Sequence, residues 1–374
     1  MAASRTAGQV HARPKAKSIN LETPAVDHAT RLIQQVCCLA GSFDLIEQFA
    51  DKDLATAIDR HDTAALFYRL IFDFSFQGIS DAVAANYMHQ HGRPTWAAVQ
   101  KNLARRPTCP KLKTYWHFYD CRYEKTSRTC AEPDHIGACP VLTHRLRNGY
   151  LNQLAYSLYL FIRDVADGDL VGWIDGRVNE ANDPGTPDGL GRARNALIDS
   201  LRNVYGVSDK VLTMALSGIL IGGPAGRPKW LEVGVQLIAV DTLVHNFLHR
   251  TGILTRLNAA HPYGPGCYRP GGCADIIRRV ANQIDARQFN RSFPKVFPRF
   301  VQHAIWRYCS QQGLDICNGN RVDDRHKCQN RYCRLYGIYC LQQELDNLWM
   351  KIAFNRYPGR ASDDRHVIGR NDLV

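Results

Sequence analysis

The chain lacks any apolar run long enough to cross a membrane. Its longest candidates, Leu154 to Ile162 and Val211 to Ile221, fall short of a bilayer's thickness and are interrupted by polar residues. The first residues, Met1 to Lys17, carry scattered positive charge but no apolar core. That excludes a secretory signal and predicts a flexible basic arm over 1–20. Convincing alternation of apolar and polar residues is absent, which argues against a sheet protein. Internal repeats and extended low-complexity segments are absent too, which argues against a solenoid or a compositional linker. With no route to an oxidising compartment, the thirteen cysteines predict reduced thiols in the cytoplasm, some of them bound to metal, rather than a disulfide framework.

What is present is helical spacing. Thr30-Ile33-Val36-Leu39, Leu66-Phe67-Leu70-Ile71 and Val83-Ala84-Tyr87-Met88 place apolar residues on one face of a 3.6-residue period. Further helices are predicted over Leu151–Val165, Gly191–Val204, Asp209–Ile221, Thr242–Thr251, Cys273–Ile284 and Phe297–Cys309. Pro/Gly-rich composition marks loops at 183–189, 222–228 and 261–266. The fold class is therefore all-α. At 374 residues with 45% hydrophobic content, the chain can fill two lobes of ordinary size. Lys+Arg 47 against Asp+Glu 35 leaves a net charge of +12, which favours a polyanionic partner without requiring one.

Two segments carry chemistry. Gly206-Val207-Ser208 forms a tight turn between the helical patterns ending near Val204 and beginning at Asp209, with Lys210 in the first turn of the second. That is how a helix-hairpin-helix reads. The start of its second helix offers unpaired N–H groups and the positive end of a dipole, so a DNA phosphate can dock there without any base being read. Downstream, Ile238-Ala239-Val240-Asp241-Thr242 opens another helix that runs to His249-Arg250. Each residue alone has an ordinary meaning. A lysine in a first helical turn also describes a solvated position, and an aspartate before a helix also describes an N-cap.

Taken together, these segments resemble the helix-hairpin-helix DNA glycosylase superfamily, most closely its endonuclease III branch. The family hairpin reads Leu-Pro-Gly-Val-Gly-x-Lys, and Val204 to Lys210 occupy those seats, with Tyr205 in place of Pro and Ser208 in place of the second Gly. Val240-Asp241-Thr242 matches the segment of the catalytic aspartate. Phe72 to Asp81 resembles Leu-Leu-Ser-Ala-Gln-x-x-Asp, which puts Gln77 where the family fills the gap left by an extruded nucleotide. The resemblance covers about residues 60 to 345, with insertions. It implies a two-lobed fold: a six-helix barrel over 64–222 with a Cys-rich insertion near 106–145, and a second lobe joining 21–63 to 237–345. A polar tail follows over 356–374.

It also implies a bifunctional glycosylase and apurinic/apyrimidinic lyase acting, as a monomer associated with the nucleoid, on double-stranded DNA that carries a damaged base. Oxidised pyrimidines are the default substrate of that branch. Lys210 would be the nucleophile and Asp241 the anion under the sugar, while Gln77, Gly206, Val207 and Ser208 would contact DNA. The competing class is a non-catalytic, metal-stabilised DNA-binding protein that kept the scaffold. Tyr205, Ser208 and the widened interval from hairpin to aspartate motivate it; an extra loop over Gly222 to Gly234 accounts for that interval and could reach DNA through Arg227 and Lys229.

Cys317, Cys328, Cys333 and Cys340 leave intervals of ten, four and six residues, where the branch has six, two and five around a 4Fe–4S cluster. The resemblance therefore implies an iron–sulfur loop at 317–340. Zinc or free thiols are the alternatives, and Cys309 is near enough to substitute for one ligand. Cys109, Cys121, Cys130 and Cys139 contain no Cys-x-x-Cys pair, which leaves zinc there open. Among the aromatics between them, Tyr115, Trp116 and Phe118 either stack on a nucleic-acid strand or form a small core.

Overall fold

The computed structural model describes residues 24–76, 81–105, 109–118, 121, 123–124, 129–130, 150–181, 188–224 and 226–317. Sixteen α-helices form in these segments. The first eight are α1 (Pro24–Ala40), α2 (Leu45–Phe49), α3 (Lys52–Asp59), α4 (Thr63–Phe74), α5 (Asp81–His91), α6 (Trp96–Ala104), α7 (Tyr115–Phe118) and α8 (Tyr150–Asp164). They are followed by α9 (Leu170–Ala181), α10 (Gly189–Leu201), α11 (Asp209–Ile221), α12 (Pro228–Gly234), α13 (Thr242–Arg250), α14 (Ile253–Arg256), α15 (Cys273–Ala281) and α16 (Pro298–Cys309). The one ladder among the described residues pairs the two-residue strands Tyr123–Glu124 and Thr129–Cys130. All-α is the observed class.

Short polar side chains start several of these helices by accepting from N–H groups that have no partner within the helix. Asp51 accepts from Asp53 N and Leu54 N, Asp62 from Ala65 N, and Thr95 from Ala98 N.

Two apolar cores result. One gathers Leu66, Phe67, Leu70, Phe74, Leu154, Phe161, Leu197 and Leu216 around α4, α8, α10 and α11. Leu54, Ala57 and Ile58 of α3 and Trp230 and Val233 of α12 belong to it as well. The other joins α1 to α13, α15 and α16 through Leu32, Ile33, Val36, Phe247, Ile277, Phe300 and Tyr308. A chain segment from before the first core thus packs on segments that follow it.

The lobes meet closely at Gly222, the C-cap of α11, where an added Cβ would lie 2.3 Å from the Phe49 carbonyl oxygen. Only glycine lets the two backbones approach so near.

The interval 222–234, read as a loop from its Pro and Gly content, is half helix. Pro228 supplies the first turn of α12, where its missing N–H costs nothing. Trp230 is 2% exposed and donates from its ring N–H to Asp175 at 2.6 Å. Arg227 pairs with Asp59 at 3.0 Å and Asp175 at 3.3 Å, and Lys229 donates to Asn179. The two cations expected to face DNA are engaged within the protein.

Candidate functional site

Two helices joined by a tight turn form where the hairpin was expected. α10 ends at Leu201, Gly206 turns the chain with φ +72°, and α11 begins at Asp209 with Ser208 as its extended N-cap residue. Positive φ is the conformation in which a side chain on Cβ is strained, so glycine is required there by the backbone. The turn is pinned from outside as well, because the Tyr205 N–H donates to the Ser157 hydroxyl of α8 at 2.9 Å. Tyr205 therefore holds the proline's seat by a tertiary bond that proline could not make.

Lys210 is half-buried in the first turn of α11. Asp241 stands before α13, and the two come within electrostatic reach: the lysine's charge is one of the influences that lower the Asp241 pKa. The largest influence is opposite. Burial pushes the carboxyl up, and its bonds from Val244 N at 2.9 Å and from Leu243 N, together with Lys210, do not cancel that, so the net direction is upward. Asp241 is thus the N-cap of α13, and it is also a strained anion beside a lysine.

Its other neighbours carried no signal in the sequence. Arg299, on the first turn of α16, is fully enclosed, and burial lowers its guanidinium to about 10 against the pull of Tyr268 and Asp241. Its side chain bonds to Gln302, while its Nε has no partner among the described residues. Tyr268 clamps the residue before Asp241 from both sides, since its hydroxyl accepts from Val240 N at 2.9 Å and donates to Val240 O at 3.2 Å. Thr213 of α11 stands near the same hydroxyl.

Beside this arrangement lies a basic cavity lined by Arg194, Arg202, Arg269 and Arg278, with Asp209 and Asp275. Arg278 is lowered to about 10, first by burial and then by Arg194. Arg202 is paired with Asp209 at 2.8 Å and with Asp199, and Arg278 with Asp275 at 3.5 Å.

A second cluster sits one turn along α13. His245, His261, Cys267 and Cys273 bring their ligand atoms within 4.8 Å of one another and could hold a metal ion. His245 Nδ1 lies 3.3 Å from Cys273 Sγ and 3.5 Å from Cys267 Sγ, and His261 Nε2 lies 3.4 Å from Cys273 Sγ. Three of the four are buried and His261 is half-buried. A hydrogen bond from the Cys273 thiol draws Cys267 toward the thiolate, with the Cys273 proton correspondingly harder to remove. Only the His/Pro/Gly stretch 261–266 signalled this site, and its ligand intervals of fifteen, five and five residues match no short-spaced cysteine pattern.

The other predicted positions fare differently. Gln77, Cys328, Cys333 and Cys340 lie outside the described residues. Cys317 is half-buried, with its sulfur 3.8 Å from the Arg250 guanidinium and hydrogen-bonded to the buried Cys309 thiol. Cys109 is buried in the first core, and Cys121 accepts from Gln153 at 3.4 Å. Tyr115 and Phe118 are core residues, whereas Trp116 is 64% exposed.

No protein-family model, curated protein or solved structure matches the chain. Among the described residues, no helix is long and apolar enough to cross a membrane.

Proposed function

We propose that the chain is a DNA base-excision glycosylase with lyase activity, acting on an altered base in duplex DNA. The observation that carries this reading is that Lys210, from the second helix of the hairpin, lies within electrostatic reach of the half-buried Asp241. A non-catalytic binding module has no use for a half-buried lysine within electrostatic reach of a carboxyl whose ionisation is disfavoured. Breaking the bond between base and deoxyribose develops positive charge on the sugar, and an ionised Asp241 in an enclosed site stabilises that charge more than the same group would in water. The neutral Lys210 amine attacks C1′, the base departs with the bonding electrons and takes up a proton, and ring opening leaves an imine between C1′ and the lysine nitrogen. Loss of a C2′ proton then expels the 3′ phosphate by β-elimination.

The cavity lined by Arg194, Arg202, Arg269 and Arg278 supports the reading, because guanidinium groups gathered at one opening can donate to a phosphate. The net charge of +12 agrees in sign. A 4Fe–4S cluster on Cys317, Cys328, Cys333 and Cys340 belongs to the same proposal. The enclosed Cys317 sulfur beside Arg250 fits a thiolate ligand, and such a cluster would stabilise the fold and take no part in the chemistry.

Borohydride reduction of the protein mixed with duplexes bearing oxidised pyrimidines should trap a covalent adduct. Lys210→Gln should abolish that adduct while duplex binding persists. An adduct of full yield in Lys210→Gln would move the nucleophile elsewhere. Binding with no adduct on any lesion would favour the non-catalytic module.

A further inference from the structure

We propose that His245, His261, Cys267 and Cys273 bind one zinc ion that fastens the loop 261–273 to helix α13. The distances fit a tetrahedral site. With Zn–S of about 2.3 Å and Zn–N of about 2.0 Å, tetrahedral angles put neighbouring sulfur and nitrogen ligands roughly 3.5 Å apart. The three sulfur–nitrogen separations here run from 3.3 to 3.5 Å. A two-iron cluster with the same ligand types would hold sulfurs on one iron and nitrogens on the other, with sulfur–nitrogen pairs well beyond about 4 Å. Two thiolates and two imidazoles also exclude magnesium and calcium, which take oxygen ligands.

The surroundings are built for a metal. His261 donates from Nδ1 to the Ala259 carbonyl at 2.6 Å, which fixes the tautomer and leaves Nε2 as a bare lone pair pointing into the cluster. Cys273 is the first residue of α15, so its place is fixed by the helix it opens. Gly264 (φ +140°) and Gly271 (φ +78°) turn the loop through conformations that side chains resist. At Gly272 an added Cβ would lie 2.2 Å from the Gly266 carbonyl oxygen, so the two cysteine-bearing segments touch backbone to backbone. Four protein ligands fill a tetrahedral zinc, leaving no position for water, so the ion is structural.

Its place gives it a second consequence, which rests on the catalytic reading of Asp241. Tyr268, whose hydroxyl brackets Val240, follows the ligand Cys267 directly, and the His245 N–H donates to the Asp241 carbonyl at 3.0 Å. Zinc therefore holds both sides of the backbone that presents Asp241.

Elemental analysis of the full chain tests the ion itself. Cys267→Ser/Cys273→Ser should contain one zinc equivalent fewer than the parent protein. His261→Ala, altered on the half-buried loop where folding is least at risk, should bind zinc at least tenfold more weakly. Cobalt chloride added to metal-stripped protein should give the intense visible bands of tetrahedral cobalt and a near-ultraviolet thiolate band, both absent in the double variant. An unchanged zinc content in both variants, or cobalt bands that survive in the double variant, would overturn the site. Cobalt bands without a borohydride adduct would leave the site standing and sink the reading of Asp241. An adduct from parent protein that holds no zinc and gives no cobalt bands would do the reverse.

Discussion

Asp241 combines two roles that a single residue seldom holds without cost. As N-cap it accepts from Val244 N, and asparagine would cap the helix about as well. As an ion it is disfavoured, because burial outweighs Lys210 and the helix N–H groups. The sign follows from linkage. A carboxyl whose folded pKa is raised binds its proton more tightly in the native state, so stability falls as pH rises from the ordinary carboxylate pKa, about 3.9, through the raised value. Asp241→Asn should therefore raise the melting temperature at pH 7 and leave it unchanged near pH 3. Base excision by the same variant should fall by about two orders of magnitude. Equal melting temperatures at pH 7 would show that the carboxylate is not strained, and full excision would reduce Asp241 to a cap. In the parent protein, excision should decline on the acid side at a pH above the ordinary carboxylate range.

At the scale of elements, the hairpin and the inserted helix show what a local pattern conveys. Gly206 has positive φ, yet an added Cβ there meets nothing within 4 Å. Gly206→Ala should thus cost only backbone strain, about 1 kcal/mol in chemical denaturation, with no loss of packing. A loss above about 3 kcal/mol would mean that the turn is held by more than its conformation. The opposite holds for Trp230. Trp230→Ala removes a buried ring and one of the donors to the Asp175 carboxylate, so a loss of about 3–5 kcal/mol is expected. Helix α11 was legible to the residue, since Ser208 and Gly222 flank a mostly apolar stretch. Helix α12 was not, because seven residues between glycines carry too little periodicity, and its stability comes from Trp230 entering a core assembled elsewhere.

For the whole molecule, the working geometry depends on two cores held at a fixed separation. Gly222 sets that separation at one point, with Phe49 O in the way of any side chain. Tyr268 sets it at another, bonding both backbone groups of Val240 while standing near Thr213 of α11. Tyr268→Phe removes a hydroxyl that satisfies both Val240 groups while leaving the ring in place. Excision should drop more than tenfold with little change in duplex affinity, because the turn proposed to dock DNA, Gly206 to Ser208, is untouched. Equal losses of affinity and excision would place Tyr268 in the binding surface instead.

By itself the sequence determined the class of structure, the hairpin turn and the start of α13, since each is written in contiguous residues: a 3.6-residue period, a glycine at positive φ, a carboxylate three residues before the N–H it caps. Tertiary structure alone decided the rest. Lys210 and Asp241 come within electrostatic reach of each other only through the tertiary placement of α11 and α13. Arg299 reaches Asp241 from a helix that begins nearly sixty residues later. The four metal ligands come from α13, a loop and the first residue of α15 at intervals with no recognisable rhythm. A site built from long-range contacts leaves no periodic trace, because periodicity records only which neighbours along one element share a face.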